Sequence, residues 1–468
     1  MILDNIFRFI TNISKDVNQR KSFSYVTIRG LSIASNYLFS ILVINLFSKD
    51  NYGLFVYGLS IFMILSTLLK AGVDVHFVKI FYKFEKTGTP YWIKKLEKRI
   101  VLSSIATALL VAIIVYSFNL VGNASAAIIP FIISVPLYVY VHLNSAKLRA
   151  ISKILQFAFL NVAGRIVFSL ILFLIFYYVL FLRSPFIIYA SHFFSVLLLL
   201  LFSCLWINKS FFYNNNHNKR IPKSFKKQNK ALMIKSYITV FFLWGDRFFL
   251  SLICTPETVA EYDVSLKIAM LMMVAIEALK SSYAPVFARH AGDPIALKKH
   301  IKKSTRVGVV FSFLILVCLI TLGKFILGVF GPEFIASYPL VIIISLGYFF
   351  SAIFGQADNV IEMCGLAKYY VKPYFVVILI SLILAPIFQI SSMDYLNFRF
   401  PNDFAYSDSS IIVANVLILV FNLVFILSYL FFKENKLDNK DSQSFEPNFK
   451  QNIPLVILAL LVICFFIA

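Results

Sequence analysis

Seven lysines and arginines lie well inside, not at the first turn of, stretches otherwise apolar enough to cross a bilayer: Arg29, Lys70, Arg165, Arg247, Lys267, Lys280 and Lys324. A cation in hydrocarbon costs at least ~2.5–3.5 kcal/mol on insertion scales, so it normally faces a wet cavity, a partner or an anion. A guanidinium offers a planar fork that suits phosphate, and an ammonium offers a point charge. The chemistry these residues suit is reversible binding of an anion along a path through the membrane. Arg247, Lys267 and Arg165 are the expected cavity cations. Lys324 falls near an outer helix end and is expected to snorkel.

Acids accompany several of these bases. Asp246 adjoins Arg247, and Asp263 stands one turn from Lys267. Lys70/Asp74 and Glu277/Lys280 have intrahelical spacing, which makes local pairing the simpler reading. The sharper reading is a gate at the cytoplasmic ends. Asp358 and Glu362 are four residues apart and need cations, which Arg29 and Lys70 can supply from the other half of the chain. Proton or sodium coupling through Asp246, Asp263 or Glu277 is a further expectation, opposed by the neighbouring bases.

The elements that must carry these residues follow from composition. The chain has 468 residues, 60% hydrophobic and 14% charged. Apolar stretches cover 25–46, 52–76, 101–120, 124–141, 155–180, 185–206, 236–254, 260–288, 305–328, 339–363, 373–390 and 410–432. Each is about long enough to span ~30 Å of hydrocarbon as a helix. The fold class expected is an all-α polytopic membrane protein.

The net charge of +22 would suit nucleic acid, but its distribution excludes that partner. With the N-terminus in the cytoplasm, thirty-four of the 44 bases fall in the inner segments and the helix ends adjoining them. Only Lys49, Arg183 and Arg399 fall outside. That is the positive-inside asymmetry of a multi-pass protein, and it implies contact with anionic lipid headgroups.

The spans divide into two halves. Residues 1–24 alternate Ile2, Ile6, Phe9, Ile10, Ile13 and Val17 with polar residues, which predicts an amphipathic interfacial helix and no cleavable signal. Residues 25–207 form a first six-span lobe, 208–235 a basic cytoplasmic linker, and 236–432 a second six-span lobe. Both lobes open with two spans joined by a short outer turn and continue with a long basic inner segment. This is a parallel repeat, with a binding site expected between the lobes. After a polar stretch from 433 comes a short apolar segment, 453–468. It reaches only ~24 Å as a helix, so a thinned thirteenth span and a partly inserted segment both stay open.

Local motifs then carry a resemblance. The run Ser48-Lys49-Asp50-Asn51-Tyr52-Gly53-Leu54-Phe55 is similar to the turn into the second helix of polysaccharide flippases. Trp244-Gly245-Asp246-Arg247, Val259-Ala260-Glu261-Tyr262, Ser265-Leu266-Lys267-Ile268, Gly331-Pro332-Glu333-Phe334 and Gly365-Leu366-Ala367-Lys368 follow in order. Together they resemble Wzx-type O-antigen flippases of the MATE-like polysaccharide exporters, over roughly 28–432. Ala260 departs from the family's usual glycine. The resemblance implies a MATE-like V-shaped bundle in the bacterial inner membrane. It also implies transfer of an undecaprenyl-pyrophosphate-linked oligosaccharide to the outer leaflet, with polysaccharide polymerase and chain-length proteins as partners.

Other functions find less support. The outer loop 391–409 holds no convincing catalytic set, which argues against a membrane glycan polymerase or ligase. A MATE-like exporter of cationic drugs would favour an acidic cleft. A flippase for another isoprenoid-linked precursor would use the same cations. No phosphate-binding G-x-x-x-x-G-K-[ST] loop is present, and the scattered cysteines have no metal-ligand spacing, so no cofactor is expected. Tyr37, Tyr57, Tyr283 and Tyr348 could stack on sugar rings, though intramembrane aromatics mostly pack. His76, His142 and His192 stand alone in the sequence, which favours structural or interfacial roles.

Overall fold

The computed structural model describes residues 17–83, 89–117, 125–151, 153–207, 213–214, 223–290, 293–353 and 360. The described chain is helical except for a two-residue parallel pairing of Thr89–Pro90 with Tyr213–Asn214. The helices are α1 (Val17–Leu46), α2 (Lys49–Lys70), α3 (Val73–Lys83), α4 (Tyr91–Ser117) and α5 (Ser125–Ala150). They continue with α6 (Ile154–Val179), α7 (Phe186–Ile207), α8 (Lys223–Ile253), α9 (Pro256–Ala269), α10 (Leu271–Arg289), α11 (Pro294–Phe330) and α12 (Tyr338–Ile353). Among the described residues, eight helical stretches are long and apolar enough to span a membrane. The expected multi-pass helical class is therefore found.

By contacts the chain forms two units, Met1–Glu257 and Thr258–Ala468. In the first, α5 is the most enclosed helix and packs on α2, α3, α4 and α7. Phe39, Phe55, Phe62, Phe131 and Phe173 are fully buried around it. Helix α4 turns Leu102, Leu109, Leu110 and Ile113 outward, as a lipid-facing span does. Buried serines return their hydroxyls to the preceding turn, as in Ser134 to Phe131 O at 2.7 Å and Ser191 to Ile188 O at 2.8 Å. That satisfies the hydroxyl where water is absent. Two π-helical turns, Phe159–Ala163 and Ile175–Val179, interrupt α6 on either side of Arg165.

Helix α8 also packs within the first unit, along α2 and α3. Near the N-terminal end of α2, a Cβ on Gly53 would run into the Pro256 carbonyl, so only glycine fits that approach. In the middle, the rings of Tyr57 and Phe248 lie 6.4 Å apart. At its C-terminal end, α2 stops in left-handed backbone at Ala71 (φ 50°) and Gly72 (φ 67°). Two carbonyls of this turn accept from α8: Asn229 Nδ2 donates to Ala71 O at 3.1 Å, and Tyr237 Oη donates to Leu68 O at 2.8 Å.

Several expected boundaries are corrected. The span expected over 52–76 ends at Lys70, because the chain turns at Ala71–Gly72. The span expected over 260–288 is two helices meeting at Met270. The described part of α1 runs from Val17 to Leu46. In the second unit, α11 packs against α10 and α12. Tyr338 fits over Gly323, with its hydroxyl 2.6 Å from Ile320 O. The expected spans 373–390 and 410–432 and the segment 453–468 lie outside the described residues.

Candidate functional site

Among the described residues, buried or partly buried ion pairs lie on α2 to α5 and on α8 and α9. On α8, Arg247 is 5% exposed. Its Nη1 donates to Leu243 O at 2.9 Å and lies 3.4 Å from Asp246 Oδ1. The guanidinium carbon sits 4.7 Å from the Trp244 ring centroid. Asp246 Oδ1 also accepts from the Arg247 backbone N–H at 2.8 Å. The Trp-Gly-Asp-Arg run thus folds the cation back onto its own turn, with an acid, a carbonyl and a ring sharing the charge. Gly245 leaves ordinary van der Waals room there. On α9, Lys267 Nζ lies 2.9 Å from Asp263 Oδ2, and Asp263 is 2% exposed.

The first unit holds a larger polar cluster. Lys70 Nζ reaches Asp74 Oδ2 at 3.2 Å, and His142 Nδ1 lies 4.0 Å from the same oxygen. Arg165 on α6 interacts with Tyr138 and acts electrostatically on both His142 and His192. The Arg165 Nη1 atom is buried with no hydrogen-bond partner among the described residues. Below this cluster, Lys147 pairs with Glu97 at 2.8 Å and sits 3.4 Å from Asn144 Oδ1. Asn144 in turn donates to Ser203 Oγ at 3.1 Å.

Sequence reasoning missed the two cross-helix relations. His142 and Asp74 are far apart in the chain, as are Lys147 and Glu97, so neither pair has a local spacing. The available signal was Glu97 standing alone among Lys94, Lys95, Lys98 and Arg99. Of the remaining expected site residues, Arg29 lies exposed on α1, and Glu277 and Lys280 lie partly buried on α10. Lys324 is exposed and rests 5.3 Å from the Tyr338 ring, as snorkelling requires. Asp358 and Glu362 lie outside the described residues.

The family profile described as "Polysaccharide biosynthesis protein" matches residues 19–291, more than half of the chain. No curated protein matches the sequence. The fold is similar to an inward-facing multidrug resistance MATE transporter of the MOP superfamily, with TM-score 0.64 at 12% identity over 87% of this chain and 96% of that one. It is similar to the lipid II flippase MurJ in an inward closed conformation, with TM-score 0.62 at 14% identity over 95% and 97%. A MOP superfamily transporter from Pyrococcus furiosus, noted for reversed polarity of its binding pocket, gives TM-score 0.57 at 12% identity over 88% and 93%. The chain therefore belongs to the polysaccharide biosynthesis protein family and has the all-helical membrane fold of MATE transporters and MurJ.

Proposed function

We propose that the protein carries an undecaprenyl-pyrophosphate-linked oligosaccharide, such as an O-antigen repeat unit, from the inner to the outer leaflet of the bacterial cytoplasmic membrane. It acts by alternating access, without a covalent step. The observation that carries this reading is the set of buried and partly buried cations on α6, α8 and α9, Arg165, Arg247 and Lys267, in a member of a polysaccharide biosynthesis family. Pyrophosphate is the anion that such a substrate brings, and the polyprenyl tail can stay in lipid while the glycan takes a wet path. The flippase fold of MurJ supports the transport class.

In this reading Arg247, Lys267, Arg165 and Arg29 contact the pyrophosphate in turn. Lys70, Asp74, Asp246, Asp263, Glu277, Lys280, Asp358 and Glu362 exchange ion-pair partners as the two faces open and close. Residues 1–24 lie on the inner leaflet with the N-terminus in the cytoplasm, and 208–235 links lobes 25–207 and 236–432. A polysaccharide polymerase and a chain-length protein receive the product outside.

Depletion in the native cell tests the reading. Lipid-linked oligosaccharide should accumulate, and in spheroplasts it should be hidden from a lectin that cannot cross the membrane. Lectin-accessible oligosaccharide at the undepleted level would overturn it.

A further inference from the structure

We propose that the N-terminal turns of α4 and of α11 each carry a binding site for an anionic phospholipid, with bases on its headgroup and an apolar stripe along its tails. Lys95, Lys98 and Arg99 are exposed on α4, and the same face continues as exposed Leu102, Ile105 and Leu109. At ~100° per residue, these six fall within roughly 120° of the helix circumference. The opposite face holds buried Ile93, Ile100, Ser104 and Ala108, and Ala108 packs with Ile128 and Ile132 of α5. The charges therefore sit on the side of α4 that meets lipid further along.

One acid interrupts this run of bases, and it points the other way. Glu97 is buried and lies 2.8 Å from Lys147 of α5, so its charge is held inside the bundle. Helix length sets the depth of the exposed bases. With 27 residues, α4 reaches ~40 Å, about 10 Å more than ~30 Å of hydrocarbon requires. The surplus lies at the N-terminal end, because exposed apolar residues begin only at Leu102. Lysine and arginine stems lie along apolar surface while their heads reach the phosphates.

The same arrangement recurs in the second unit. Helix α11 has 37 residues and reaches ~55 Å. Lys302, Lys303 and Arg306 are exposed on it, and exposed Val310, Leu314 and Val317 continue their stripe, again within roughly 120°. Both helices start in or beside the long basic inner segment of their half of the chain. The bias of bases to one side of a membrane sets no helix face. Agreement of face in two helices points to a ligand with phosphate and acyl chains in line. An acidic protein or a nucleic acid would meet the charges and leave the stripe unused. The proposal does not rest on the transport reading.

The test uses the purified full chain, stripped of lipid in a neutral detergent and titrated with diphosphatidylglycerol or phosphatidylcholine. Native mass spectrometry counts the lipids bound. Diphosphatidylglycerol brings two phosphates that several bases can meet at once. Wild type should hold one such lipid per ladder, and hold it roughly tenfold or more tightly than phosphatidylcholine, since each base beside an anionic headgroup favours it. The triple variant Lys95→Gln, Lys98→Gln, Arg99→Gln should hold one fewer, and so should Lys302→Gln, Lys303→Gln, Arg306→Gln. Lys219→Gln, Arg220→Gln, Lys223→Gln removes the same charge elsewhere and should hold both. Equal retention of the two lipids by wild type would overturn the proposal. Undiminished retention in either ladder variant, or an equal loss in the third variant, would overturn it as well.

Discussion

Lys70 and Asp74 form a 3.2 Å ion pair across a break in the backbone, between the last residue of α2 and the second of α3. Their spacing of four suggests one continuous helix, yet Ala71 and Gly72 between them are left-handed. The pair thus ties together two helices, and His142 on α5 approaches the same carboxylate.

Asp74→Asn should therefore loosen the α2–α3 junction as well as remove a charge. Because both side chains keep some exposure, 10% and 18%, the expected cost is about 1–3 kcal/mol. Thermal unfolding of Asp74→Asn, Lys70→Met and the double variant in detergent checks this. The double variant should lose less than the sum of the singles. Strict additivity would mean that the two charges act independently.

The sequence carried much of this frame, because hydrophobic length and basic asymmetry are properties of single segments. Helices over 154–179 and 186–207 end within two residues of the expected bounds. The break at Met270 was illegible, since no glycine or proline marks it. Pairing within one helix was legible for Lys267 and Asp263, where spacing alone decides. Contacts such as His142–Asp74 and Lys147–Glu97 depend on how whole helices pack, which no local pattern encodes.

Gly53 gives a sharper test of the close approach of α2 to Pro256. A Cβ there would collide with backbone at Pro256, which a rotamer change cannot relieve. Gly53→Val should cost about 1–3 kcal/mol or more in detergent unfolding. Gly245→Ala, where neighbouring atoms begin at 3.7 Å, should be near neutral on the same measure. Equal stability for Gly53→Val and wild type would refute the close approach.

The Lys147–Glu97 pair is more enclosed, with side chains 4% and 8% exposed. Lys147→Met leaves a buried carboxylate and should destabilise by about 3–5 kcal/mol. Adding Glu97→Gln should recover part of that loss. A Lys147→Met variant as stable as wild type would show that the pair contributes nothing.

Topology can be read by cysteine labelling at positions 226 and 403. A reagent that cannot cross the membrane should label Asp403→Cys in intact cells and reach Lys226→Cys only after permeabilisation. The basis is the confinement of nearly all bases outside the spans to one side. Labelling of position 226 alone would reverse the orientation.

The role of the intramembrane cations is tested most directly in vesicles. The protein is reconstituted with labelled undecaprenyl-pyrophosphate oligosaccharide, and leaflet transfer is read by an external glycosidase. Wild type should expose the glycan over time. Arg247→Ala and Lys267→Ala should fold normally yet lose at least about tenfold in rate, as expected when a charged contact to phosphate goes. Arg247→Lys should fall between, because lysine keeps the charge and loses the fork. Transfer at the wild-type rate in both alanine variants, or none above empty vesicles in wild type, would contradict the account.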